Sequence, residues 1–168
     1  MPNTILGLPA HPLIVHAVVV LVPLAALLVA ASAVSARFRQ WSRYATPLTA
    51  LVALAMVPLA TQSGEGLEGS IPHSPVVEQH AELADSLLPL MAGLVVLALV
   101  QAWLHRRTVN GRVHDSVPRI ATVTVAVLAV LVSLGTLVQV GRIGHSGAKA
   151  VWSDVKVSGG SGESGESR

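Results

Sequence analysis

Apolar residues gather into four long runs, at about 12–36, 45–64, 86–104 and 120–141, parted by short polar segments. Each run holds about 19 to 25 residues, and a helix needs roughly 20 to cross a hydrocarbon core about 30 Å thick. The runs lack the alternation of a barrel strand, and an open strand cannot satisfy its backbone groups in lipid. The pattern therefore predicts an all-α fold, a transmembrane four-helix bundle. Its helices are expected at about 12–36, 45–64, 75–105 and 119–142, inside a membrane domain covering 12–153. Pairs of small residues at helical spacing, Ala26 with Ala30 and Ala129 with Ser133, offer close-packing faces.

The polar segments between the runs give the orientation. Arg37, Arg39 and Arg43 follow the first run, and Arg106, Arg107, Arg112 and Arg119 lie between the third and fourth. Residues 1–11 and 62–82 contain no lysine or arginine. Because cytoplasmic loops carry the basic excess, both termini and the 62–82 loop are expected outside, in a bacterial inner membrane. Val34-Ser35-Ala36 resembles a signal-peptidase site, but the apolar run before it is longer than a signal h-region and no basic segment precedes it. A retained first helix is expected. Residues 154–168, rich in serine and glycine, predict a disordered outer tail.

Composition agrees with this picture. Hydrophobic residues make up 52% of the chain and charged ones 12%, about half the usual share for a soluble domain. The absence of cysteine excludes a disulfide scaffold, a thiol enzyme and cysteine-ligated zinc or iron–sulfur sites. A net charge of only +2 speaks against nucleic-acid binding.

Depth along the helices locates the candidate chemistry. Counted from the inner arginines, His11 lies about 26 residues from Arg37, His80 about 26 from Arg106, and His145 about 26 from Arg119, roughly 39 Å at helical rise. That is the outer headgroup zone. His16 and Asp85 each lie about 21 residues from their arginine and Glu65 about 22 from Arg43, near the outer edge of the hydrocarbon. Ionisable groups at that depth normally face the bundle interior. Local signals suggest helix ends here: Pro12 and Pro75 at first positions, glycines 64 and 66 as a cap, and Gly141 and Gly144 loosening the fourth helix. Pro23, Pro58 and Pro89 are candidate kinks. Toward the other face, His105 with Trp103 reads as an interfacial anchor, and His114-Asp115 as a solvated pair.

Four blocks carry a family resemblance: His11-Pro12-Leu13-Ile14-Val15-His16, Gly64-Glu65-Gly66-Leu67-Glu68, Val77-Glu78-Gln79-His80-Ala81-Glu82, and Gly144-His145-Ser146-Gly147-Ala148-Lys149. Over about residues 8 to 153 the chain resembles the bacterial four-helix membrane family called domain of unknown function 2231, in its actinobacterial form. Similar proteins often have phenylalanine–proline where this chain has Ala17-Val18, and an acid at the place of His145. The resemblance implies no established activity. Fusion of some relatives to Rieske-type domains implies redox surroundings.

Three uses fit these residues. One is a b-type haem for electron transfer, held by two imidazoles from His80 and either His11 or His16, with His145 as a further candidate. The second is a metal such as zinc, held by His11, His16, His80 and His145 with Glu65 or Asp85. The third is a non-catalytic membrane subunit whose polar residues tie helix ends together. Expected partners are the bilayer and either a redox protein or another membrane subunit.

Overall fold

The computed structural model describes residues 4–5, 8–68, 75–109 and 118–152. Strands β1 (Thr4–Ile5) and β2 (Leu8–Pro9) form a two-residue antiparallel ladder ahead of the helices. The helices are α1 (Ala10–Val34), α2 (Ala36–Trp41), α3 (Ala45–Glu68), α4 (Pro75–Asp85), α5 (Leu87–Val109) and α6 (Arg119–Trp152). Among the described residues, four stretches are long and apolar enough to cross a membrane: His11–Val34, Ala45–Gly66, Val77–Arg107 and Arg119–Lys149. The third of these includes most of α4 and of α5. The expected tail at 154–168, residues 69–74 of the expected 62–82 loop, with His73, and His114-Asp115 lie outside the described residues.

The four long helices pack as a square. Helix α1 lies between α3 and α6, and α5 lies between the same two on the far side, so α1 and α5 stand diagonally. Small side chains fill the centre: Ala25, Ala26, Ala50, Ala53 and Ala129 are fully buried, and Met91 and Leu94 are the largest buried groups. Ser133, one turn from Ala129 on α6, is also buried, while Ala30 is only half-buried. Large apolar side chains such as Val20, Leu48, Val123, Leu131 and Val138 face outward. Helices that are apolar on every side, with small residues inward and branched ones outward, are built for lipid.

Several helix ends differ from the sequence expectation. Helix α3 continues through Gly64 and Gly66 to Glu68, and α6 passes through Gly141 and Gly144 to Trp152. Glycine weakens a helix without ending it, and here the backbone ladder simply goes on. Helix α6 has 34 residues, about 51 Å at helical rise, so roughly 20 Å of it exceeds the hydrocarbon core. Helix α1 stops at Val34, where Ser35 caps the short α2 by accepting from the Phe38 amide at 3.2 Å.

Of the three prolines, only Pro89 interrupts a helix. Its missing N–H leaves the Asp85 carbonyl without the helical donor, and the chain turns at Ser86 between α4 and α5. Gln139 on α6 covers this break. Its Nε2 donates to the Leu83 carbonyl at 3.0 Å and to Ser86 Oγ at 2.6 Å. Pro23 and Pro58 stay inside continuous helices.

The two ends of the square have different chemistry. At the arginine end, Ser32 Oγ lies 3.2 Å from Ser42 Oγ and 3.1 Å from Thr46 Oγ1, and Arg39 Nη1 donates to the Ser32 carbonyl at 2.7 Å. Arg43 stacks 4.7 Å from the Tyr44 ring centre, and Arg107 4.9 Å from that of Trp103. Trp103, expected with His105 as an interfacial anchor, has Arg107 over its ring. A small cavity of about 40 Å³ lies here, lined by Ala33, Arg39, Gln101, His105 and Thr122 among others. The opposite end holds His11, His16, His80 and His145.

Candidate functional site

Two imidazoles reach across helix pairs at the histidine end. His11, in the first turn of α1, places Nδ1 3.0 Å from Ser63 Oγ near the end of α3. His80, midway along α4, places Nδ1 2.9 Å from Ser146 Oγ in the last part of α6. Each serine hydroxyl also lies 2.9 Å from the carbonyl three residues before it, Ala60 for Ser63 and Ile143 for Ser146. The two arrangements repeat each other. Both rings are half-buried.

A glycine follows each serine and lies under its ring. A Cβ at Gly64 would sit 3.1 Å from His11 Cε1, and one at Gly147 would sit 3.1 Å from His80 Cε1. Both are tighter than ordinary contacts of a Cβ, so a side chain there would require the imidazole to give by a few tenths of an ångström. Gly64, read from the sequence as part of a helix cap, instead makes room for a ring.

The remaining candidates do not join this pair. His16 is exposed, and its Nδ1 donates to the Pro12 carbonyl one turn back on its own helix. Five residues separate it from His11, which turns it about 140° around the helix axis. His145 is exposed, and so are Glu65 and Asp85. Asp85 stands to His80 as His16 stands to His11 and is rotated away for the same reason. Among the described residues no three of histidine, aspartate and glutamate form a group able to hold a metal ion. The expected metal set of His11, His16, His80, His145, Glu65 and Asp85 is therefore not assembled there.

Sequence reasoning overlooked Ser63, Ser146 and Gly147. One signal for them was available: the dipeptide Ser-Gly occurs near the end of the second helix and again near the end of the fourth. Hydroxyl and carbonyl together give each imidazole a fixed orientation.

A family model described as "Predicted membrane protein (DUF2231)" matches residues 7–158. No curated protein matches the chain, and no solved structure does.

Proposed function

Because the chain belongs to the DUF2231 family of predicted membrane proteins, its site must be read from its own residues, and we propose that it is a membrane electron-transfer protein carrying a b-type haem between His11 and His80. The observation that supports this reading is the matched pair of imidazoles, each tied by Nδ1 to a serine on a neighbouring helix. Two ligands are the right number. A porphyrin brings four equatorial nitrogens of its own and needs only axial donors from the protein. Zinc in a structural site takes four protein ligands, and in a catalytic site three. The donor set thus fits haem better than a bare metal, and the glycine beneath each ring keeps that ring's approach clear.

When bound, haem supplies a one-electron iron couple. The chain's residues would hold and orient it: His11 and His80 as nitrogen donors to the iron, Ser63 and Ser146 as the anchors of those rings, Gly64 and Gly147 as the clearance beneath them. The basic bias of residues 37–43 and 106–119 supports placing the histidine end outside the cytoplasm of a bacterial cell, with both termini there. Its partner is then an extracytoplasmic redox protein or a second membrane subunit.

The test is to express the full chain under haem-replete conditions, purify it in detergent, and record a reduced-minus-oxidised spectrum with metal analysis. A Soret and alpha band at one haem per chain is expected. It should be lost in His11→Ala and in His80→Ala, and kept in His16→Ala and His145→Ala. A colourless protein, or colour that survives His80→Ala, overturns the reading. Stoichiometric zinc without colour points to the metal alternative. If neither is found, the His–Ser pairs act as staples between helix ends and the protein is a structural subunit, a reading the existing hydrogen bonds across helices also favour.

A further inference from the structure

The buried positions of α1 recur along α4 and α5. The step that takes His11 to His80 also takes Val18 to Leu87, Val22 to Met91, Ala25 to Leu94, Ala26 to Val95, Val29 to Ala98 and Ser32 to Gln101, and all twelve are buried. The same step takes Arg37 to Arg106. A second step relates the other two helices. What takes Ser63 to Ser146 takes Thr46 to Ala129, Ala50 to Ser133 and Ala53 to Thr136, again all buried. It also carries Gly64 to Gly147, and Ala60, whose carbonyl lies beside Ser63, to Ile143, whose carbonyl lies beside Ser146. Helical period alone can repeat a face. It does not also repeat the depth at which a histidine, a core and an arginine follow one another.

The packing agrees with two related halves. Helix α1 pairs with α3 and α5 pairs with α6, and the two pairs complete the square through α1 with α6 and α3 with α5. Two up-and-down pairs that both begin at the histidine end are related by a pseudo-two-fold axis along the bundle, a parallel repeat in membrane-protein terms.

We infer that the membrane domain is two copies of one helix pair, and that Ser63 and Ser146 are equivalent positioning residues that keep the proton of His11 and His80 on Nδ1 and leave each Nε2 as a free electron-pair donor. The serine hydroxyl has one proton, and the carbonyl 2.9 Å away accepts it in both halves. Its oxygen then accepts from the imidazole, so Nδ1 is the protonated nitrogen. Neutral histidine in water favours the opposite tautomer, which makes the serine's effect readable. A hydrogen bond at one ring nitrogen also makes the other a stronger ligand. That the ligand is haem iron rests on the reading above; the tautomer and the repeat do not.

The experiment is nitrogen-15 NMR of histidine-labelled, full-length, haem-free protein in detergent at a pH where the rings are neutral. In the unaltered chain His11 and His80 should both carry hydrogen on Nδ1, while exposed His145 shows the water-like tautomer. Ser63→Ala should return His11 alone toward the water-like form, and Ser146→Ala should do so for His80 alone. Ser63→Thr and Ser146→Thr should restore the original signals. Either ring protonated on Nε2 in the unaltered chain, or an alanine variant that leaves its ring unchanged, overturns the positioning role. Unequal or opposite responses of the two halves overturn their equivalence. Colourless protein with both Nδ1–H signals present sinks the haem reading and leaves the inference standing; haem-loaded protein without serine dependence does the reverse.

Discussion

A methyl group added at Gly147 would sit 3.1 Å from His80 Cε1, and one at Gly64 equally close to His11 Cε1, whereas at Gly141 and Gly144 it meets nothing within 4 Å. The same chemical change therefore has opposite expected signs. Gly141→Ala and Gly144→Ala each restrict the unfolded chain inside a continuous helix and should stabilise by about 0.5–1 kcal/mol. Gly64→Ala and Gly147→Ala must displace a ring and should destabilise by about 1–3 kcal/mol. Thermal unfolding in detergent decides; a gain at all four positions would mean that the rings have room to move. At this scale His11 and His80 were legible in the sequence, since their equal distance from Arg37 and Arg106 follows from chain counting. Their serine partners were not. Serine is common near helix ends, and pairing one with a histidine needs the rotation of one helix against another, which no count along the chain contains. The same missing rotation made His16 and Asp85 look like companions of the site.

The four spans were visible in the sequence because apolar residues report which part of a helix lies in lipid. They do not report where the helix ends. Helices α3 and α6 run past their apolar stretches because their backbone ladders remain intact in the polar zone, so the glycines there mark close approaches or open surface instead of stops. The division of the third span at Ser86 follows from Pro89, one of three prolines in apolar runs, and only the structure singles it out. Gln139 makes that division stable by donating to Leu83 and Ser86 together. Gln139→Leu should leave the Leu83 carbonyl without its donor from α6 and cost about 1–3 kcal/mol. The loss should be concentrated in α4. Hydrogen exchange is the measure: faster exchange across Pro75–Asp85 with α1 unchanged is expected, and uniform change across all helices would contradict a local clamp.

For the molecule as a whole, the orientation proposed from the arginines is open to direct measurement. The chain has no cysteine, so single-cysteine variants label cleanly. In intact cells a membrane-impermeant maleimide should modify Glu78→Cys at the histidine end. It should reach Gln40→Cys, exposed at the arginine end, only after lysis. The reverse pattern would place the histidines in the cytoplasm and move the proposed partner with them.

His11 and His80 sit at one end of the square, with the apolar length of the bundle between them and the arginines. A transmembrane voltage falls mainly across that apolar length, at about 2.3 kcal/mol per elementary charge for each 100 mV. An electron exchanged at the rim crosses little of this drop. The midpoint potential of a centre held there should thus stay constant as a vesicle is polarised, which would suit collecting electrons from a soluble donor and not driving them through the bilayer.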